Sequence, residues 1–144
     1  SAIGTDAITV GLIYRSDKVS PQGDARILSS ANSPLDDAAQ PLFDDSKNRP
    51  MLTQAFALNG SEESVVVAVN HLKSKGSECA GDPDMNDGQG NCNITRSRAA
   101  TAAGQWIAAQ YPEQGVLLIG DLNSYAKEDP LMAWAIACFS ELFA

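Results

Sequence analysis

The chain has 144 residues, of which 44% are hydrophobic, so a single domain with a core of ordinary size is expected. Ten basic and 18 acidic residues give a net charge of −8. This balance excludes a protein that binds nucleic acid through bulk positive charge alone. No apolar run approaches the roughly 18 residues of a membrane span.

The first half of the chain has the pattern of short strands separated by turns. Strands are expected at residues 7–14, 26–28 and 52–58, and a polar loop at 29–48. The pair Asn59-Gly60 is a strong hairpin signal, and it leads into an apolar strand that begins at Val65.

The second half adds helices. A long loop over residues 76–93 precedes a helix whose apolar positions run from Ala99 to Tyr111, and Pro112 stops it. A strand at 116–119 follows, and Asp129-Pro130 predicts the start of another helix, with Asp129 as the N-cap. The order of elements indicates an α/β fold with a mixed sheet.

Two of the apolar runs end in residues that can carry chemistry. Gly120-Asp121-Leu122-Asn123 follows one run, and period-two geometry would place Asp121 and Asn123 on the same side. Both strand ends also have a purely structural explanation. Gly-Asp pairs often begin turns, and a histidine at the end of a strand, such as His71 in the second run, is often hydrogen-bonded to backbone groups.

The other run ends in Asn70 and His71, the only histidine of the chain. Lys73 and Lys75 share parity with His71 while the chain stays extended. If the two strands lie side by side, His71 meets Asp121 and Asn123 with cations nearby, which suits a phosphate ester.

A series of motifs in linear order resembles one superfamily. The matching stretches are 8–15, 48–52, 69–76, 88–93, 95–96 and 120–123. In this order they resemble the endonuclease/exonuclease/phosphatase superfamily, which has the deoxyribonuclease I fold, and within it the secreted bacterial nucleases of the ExeM type. The resemblance implies part of a four-layer α/β/β/α sandwich with mixed sheets.

The resemblance also implies ligands outside this sequence. The family's site includes an Asn and a metal-binding Glu that would precede Ser1, and an Asp-His pair that would follow Ala144. Residues 1–144 are therefore expected to be a partial domain that is inactive in isolation and needs the rest of its parent catalytic domain.

The function implied by the resemblance is metal-dependent hydrolysis of phosphodiester bonds in DNA. His71, Asp121 and Asn123 would be catalytic, with Asp121 also a ligand of Mg²⁺, or alternatively of Ca²⁺ or Mn²⁺. The phosphate-binding residues would be Arg49, Asn70, Lys73 and Lys75. The expected partner is DNA, with no membrane, and the protein is expected to be a monomer.

Two other functions fit the same residues. Sphingomyelinases and inositol-phosphate phosphatases of the superfamily share the Gly-Asp-X-Asn strand end and the histidine. A non-catalytic piece that binds ions or nucleic acid weakly is the alternative outside the enzyme class.

The cysteines predict the compartment. Cys79 and Cys92 bracket a loop of twelve residues, and their pairing would indicate a secreted or periplasmic protein, whereas two free thiols would fit the cytosol. Cys138 is expected to be a buried free thiol.

Charged residues of the same loop and of the following helix have structural explanations. Asp82 and Asp84 begin like a calcium-binding loop, but the pattern fails at Asp87, where glycine is needed, so a solvated loop is favoured. Arg96 and Arg98 near the start of the main helix are expected to be buried or paired.

Overall fold

A computed structural model describes residues 3–4, 7–137 and 139. The prediction for Cys138 therefore lies outside the described residues. The elements, in chain order, are β1 (Val19–Leu28), a 3₁₀ turn (Ser30–Asn32), β2 (Arg49–Leu58), β3 (Ser64–His71), α1 (Asn93–Gln110), β4 (Gly115–Asp121) and α2 (Asp129–Ile136). The predicted α/β class with a mixed sheet is confirmed.

The four strands form one sheet in the order β1-β2-β3-β4. The β1–β2 and β2–β3 pairs are antiparallel, whereas β3 and β4 are parallel. A parallel pair needs a long crossover connection, and α1 lies in the segment that provides it. The parallel pairing brings the carboxyl ends of β3 and β4 to the same edge of the molecule.

The core lies between one face of the sheet and α1. Small residues on α1 are fully buried there, and they let the helix approach the strands closely. Trp106 and Ile107 fill the space further along the helix. The second helix packs on the first, where the indole Nε1 of Trp134 donates a hydrogen bond to the carbonyl oxygen of Ala100 at 2.7 Å.

The opposite face of the sheet is only partly covered. Leu117 and Ile119 of β4 are exposed on it. Residues 8–15 form no helix or strand, so the predicted strand at 7–14 is wrong. The ring centroids of Tyr14 and Phe56 lie 5.0 Å apart. Packing of this kind covers apolar side chains of the segment without pairing its backbone into a sheet.

Two strands are longer than the sequence pattern predicts. β1 begins at Val19 and includes Pro21 and Gly23, two residues that are unfavourable in a strand. They are tolerated because β1 is a terminal strand of the sheet and its pairing is irregular between Gln22 and Arg26. β2 begins at Arg49 rather than at residue 52.

The start of α2 differs by one residue from the prediction. In α2 the N-cap is Glu128, and Asp129 is the first helical residue.

Within the described part of the chain, no helix has both the length and the apolar character that crossing a membrane requires.

Candidate active site

Three strands place polar side chains in one row at the edge of the sheet. Arg49 at the start of β2 pairs with His71 at the end of β3, and His71 pairs with Asp121 at the end of β4. Register partners on neighbouring strands lie on the same face, about 5 Å apart. The sheet therefore brings together Arg49, His71 and Asp121, which are far apart in the sequence.

The geometry of His71 and Asp121 leaves room for a shared ligand. The His71 Nε2 atom lies 3.9 Å from the Asp121 Oδ2 atom, which is too long for a hydrogen bond. The His71 side chain is 28% exposed and that of Asp121 is 65% exposed. Both groups can therefore contact the same water or phosphate oxygen from adjacent strands.

The turn after β4 holds the Asp121 carboxylate. The backbone N–H of Asn123 donates to Asp121 Oδ1 at 3.0 Å, and the Asn123 side-chain amide donates to the Leu72 carbonyl oxygen at 2.9 Å. Asn123 has a φ of +47°, a left-handed conformation that asparagine tolerates better than most residues. Strand alternation therefore does not extend to Asn123, and a turn rather than parity places it beside Asp121.

Gly120 is the residue on which the closeness of β3 and β4 depends. Its φ is +122°, and a Cβ atom at this position would lie 1.9 Å from the backbone oxygen of Asn70. Real Cβ atoms do not approach a carbonyl oxygen so closely, so only glycine fits here. Asn70 and Gly120 are register partners immediately before His71 and Asp121.

The remaining predicted phosphate contacts occupy different environments. Asn70 is buried on the helix side of β3, and its Nδ2 donates to the Ala68 carbonyl oxygen. The chain leaves the strand after His71, so Lys73 and Lys75 do not continue its alternation. The Lys73 Nζ donates to the hydroxyl of Ser77 at 2.8 Å. None of these three side chains joins the Arg49–Asp121 row.

Lys75 forms an ion pair that the sequence analysis did not predict. Its Nζ atom donates to both carboxylate oxygens of Glu128 at 2.6 Å, and the Glu128 side chain is 9% exposed. The same Nζ lies 5.1 Å from the ring centroid of Tyr125. This group connects the segment after β3 to the segment before α2.

A cavity opens beside Asp121. It has a volume of about 570 Å³ and is lined by residues 74–76 of the segment after β3 and by residues 120–125, which form the end of β4 and the turn after it. Asp121, Asn123 and Tyr125 all contribute to its wall. A phosphate group and part of an attached substrate fit in a space of this size.

The loop between β3 and α1 is held by a disulfide and a helix cap. Cys79 and Cys92 are bonded with their Cα atoms 5.4 Å apart, as predicted. The buried Asp82 carboxylate accepts hydrogen bonds from the backbone N–H groups of Ile94 and Thr95 at the start of α1. Asp82 therefore caps a helix, and the calcium reading of this loop finds no support.

Arg96 fixes the same loop from inside. Its guanidinium is fully buried and donates to the carbonyl oxygens of Lys73, Gln89 and Asn91. Burial lowers the pKa of Arg96, and the nearby Glu128 carboxylate opposes this effect. The expected structural role of Arg96 is confirmed, and that of Arg98 is confirmed by its contact with Asp36 at 2.7 Å.

Sequence reasoning missed Asn48, Tyr125 and Glu128. The buried Asn48 Oδ1 accepts a hydrogen bond from the backbone N–H of Lys73 at 3.0 Å and so supports the segment after His71. The sequence did contain a signal for Tyr125, since an aromatic residue follows Asn123 after only one intervening position. Nothing in the sequence distinguishes Glu128 from a surface carboxylate near a helix start.

The described residues supply only part of a divalent-metal site. Asp121 offers an exposed carboxylate at the cavity, but within residues 7–137 no group of three or more His, Cys, Asp or Glu side chains is placed to hold an ion. Mg²⁺ and Ca²⁺ need several oxygen ligands. The residues present therefore do not form a metal site by themselves.

Comparison with solved structures identifies the class of fold. It is a deoxyribonuclease I-like α/β fold. The human Nocturnin catalytic domain with bound sulfate matches with a TM-score of 0.57 and 14% identity over 83% of this chain and 36% of that chain. A functionally unknown conserved protein from Enterococcus faecalis V583 matches with a TM-score of 0.58 and 18% identity over 85% of this chain and 41% of that chain.

These matches define the fold and not the specificity. The chain spans less than half the length of either solved structure. No protein-family model matches it, and neither does any curated protein. The deoxyribonuclease I-like fold predicted from the motifs is confirmed, while membership of the superfamily and the likeness to ExeM-type nucleases stay predictions.

Proposed function

We propose that the protein carrying this chain hydrolyses phosphodiester bonds in DNA. The observation that carries the proposal is the row in which His71 and Asp121 lie 3.9 Å apart, with Arg49 in register on the next strand. The Asp121 carboxylate at the cavity wall, with the imidazole of His71 and the guanidinium of Arg49 on the neighbouring strands, supplies the groups that bind and attack a phosphate ester. The superfamily fold and a neighbour solved with bound sulfate support this reading.

Each residue of the row has a distinct proposed role. Asp121 orients the attacking water, and the Asn123 backbone N–H holds its carboxylate in place. His71 hydrogen-bonds a phosphate oxygen as negative charge builds in the transition state. Arg49 binds the phosphate backbone, since a guanidinium can hold two of its oxygens at once.

The buried Asn70 and the ion-paired Lys75 are better suited to shaping the site than to touching phosphate. The Asn70 side chain faces the helices, and the Lys75 charge is already balanced by Glu128. The Lys73 ammonium is hydrogen-bonded to Ser77, and it must break this hydrogen bond to contact a DNA strand.

We further propose a dependence on Mg²⁺, with Asp121 as one ligand and the others supplied from outside the described residues. The bound ion would supply positive charge for the phosphate. Secretion is also proposed, because the Cys79–Cys92 disulfide suits an oxidising compartment.

The proposal is tested on the full-length protein with plasmid DNA, in the presence of Mg²⁺ and after chelation. Asp121→Ala and His71→Ala should each lower turnover by at least about 100-fold. The matched control is Glu113→Ala, which removes an exposed carboxylate before the opposite end of β4 and should leave turnover unchanged.

Near-normal cleavage by Asp121→Ala would remove this residue from the mechanism. Parallel assays with sphingomyelin and inositol phosphates distinguish a nuclease from the other phosphoesterases of the superfamily. Faster turnover of either small substrate than of DNA would contradict the proposed substrate.

A further inference from the structure

Tyr125 stands out among the aromatic side chains because it is exposed at the candidate site. The residue is 80% exposed, and it lines the same cavity as Asp121 and Asn123. Large aromatic groups are usually covered in folded proteins, and an exposed one at a polar cavity offers a flat surface to a ligand.

The ring is supported from one side. Lys75 Nζ lies 5.1 Å from the Tyr125 ring centroid, and Glu128 holds this ammonium with two hydrogen bonds of 2.6 Å. The Lys75–Glu128 pair is largely buried. A cation–π contact from a fixed ammonium keeps the ring in one place and reduces the entropy lost when a ligand stacks on it.

The support is itself fixed to the rest of the fold. The Asn91 side chain donates to the Lys75 carbonyl oxygen at 3.1 Å, and Asn91 immediately precedes the disulfide-bonded Cys92. The Gln89 side chain accepts a hydrogen bond from the backbone N–H of Asp129 at the start of α2. These contacts make the position of Tyr125 a property of the folded loop.

We propose that Tyr125 binds substrate by stacking on an unpaired nucleobase next to the phosphate that Asp121 and His71 engage. This inference rests on the proposed function and narrows its substrate to nucleic acid with an unstacked base at the site. Every base has a π face, so the contact favours single strands without reading their sequence. A lipid or inositol phosphodiester has no such face to offer.

The test measures steady-state kinetics of the full-length protein on a single-stranded oligonucleotide and on methyl 4-nitrophenyl phosphate, a diester without a base. Tyr125→Ala should raise KM for the oligonucleotide by about 5- to 150-fold, the usual value of one base–aromatic stack. Tyr125→Phe should retain the wild-type KM. Turnover of the small diester should be unchanged in both variants.

A second measurement identifies the base. Single abasic sites are placed at successive positions around the cleaved bond. One position should weaken binding of the wild-type protein, and the same abasic site should have no additional effect in Tyr125→Ala. Leu58→Ala, an exposed apolar residue at the other end of β2, is the control for loss of surface area.

The results separate the two proposals. If Tyr125→Ala leaves the oligonucleotide KM unchanged while His71→Ala abolishes turnover, the stacking inference is overturned and the proposed hydrolysis stands. If His71→Ala retains turnover on both substrates, the proposed function itself fails. An equal loss on both substrates in Tyr125→Ala would also overturn stacking, because it would show a defect in the phosphate site.

Discussion

Replacing Gly120 with alanine should damage both stability and activity. The added methyl group would lie 1.9 Å from the Asn70 carbonyl oxygen and 2.9 Å from the Asn70 carbonyl carbon and backbone nitrogen. All three are backbone atoms, so no side chain can turn away to relieve the overlap. Either β4 moves away from β3 or the turn changes conformation.

The magnitude follows from two costs. A non-glycine residue at a φ of +122° is strained by about 1–3 kcal/mol, and overpacking adds about 1–3 kcal/mol. The expected loss is therefore about 2–6 kcal/mol of a total stability of roughly 5–15 kcal/mol. A displacement of about 1 Å at Asp121 would lower turnover by about 100-fold as well.

Urea denaturation followed by circular dichroism measures the loss. Gly115→Ala is the matched control, because Gly115 begins the same strand and a Cβ there meets nothing within 4 Å. We expect the free energy of unfolding of Gly115→Ala to lie within about 0.5 kcal/mol of the wild-type value. Equal midpoints for Gly120→Ala and Gly115→Ala would refute the reasoning.

Three further predictions concern other parts of the structure. The double variant Cys79→Ser/Cys92→Ser should lose about 3 kcal/mol of unfolding free energy, measured by urea denaturation, because the disulfide closes a short loop in the unfolded chain. The Gln40 backbone N–H and the Arg98 guanidinium lower the pKa of Asp36, so its contribution to stability is complete above the ordinary carboxyl pKa and is lost as the pH falls through the lowered value. Thermal melts between about pH 5 and about pH 2 should therefore show a shallower acid loss for Asp36→Asn. Arg49→Ala should weaken DNA binding and reduce its salt dependence in titrations at several ionic strengths.

Each of these predictions has a contradicting outcome. A melting curve of Asp36→Asn that keeps the full acid dependence would show that other carboxylates account for it. Salt titrations with the wild-type slope would place Arg49 away from the phosphate backbone. A double serine variant as stable as the wild type would mean that the loop retains its closure without the disulfide.

The sequence predicted the strand ends of the site better than the strands themselves. Apolar runs bounded by Asn70 and Gly120 located β3 and β4, because continuous burial produces a pattern that few other structures share. The predicted strand at 7–14 failed because alternation records burial and not pairing. β1 was mostly missed because a terminal strand tolerates proline, glycine and polar residues.

Side-chain partnerships were beyond the sequence pattern. His71 and Asp121 were expected to meet if their strands lie side by side, and the parallel pairing of β3 and β4 brings them within 3.9 Å. The partner of Lys75 could not be predicted, because the pairing with Glu128 depends on how two loops fold across 53 positions of the chain. Parity arguments also end where the strand ends, which is why they misplaced Lys73 and Lys75, and why a turn rather than parity places Asn123 beside Asp121.

The parallel pairing of β3 and β4 has a consequence for the order of folding. The hydrogen bond from Asn123 to Leu72 joins residues that are 51 positions apart, and the loop that it closes includes the whole of α1. Contacts so distant in sequence form late, because the chain must first lose the entropy of closing the loop. A nascent or partly refolded molecule would therefore have its β1–β2–β3 hairpins before His71 and Asp121 come together. Backbone amide protection in pulsed hydrogen exchange should appear in β2 before it appears in β4, and the proposed hydrolytic activity should follow the later event.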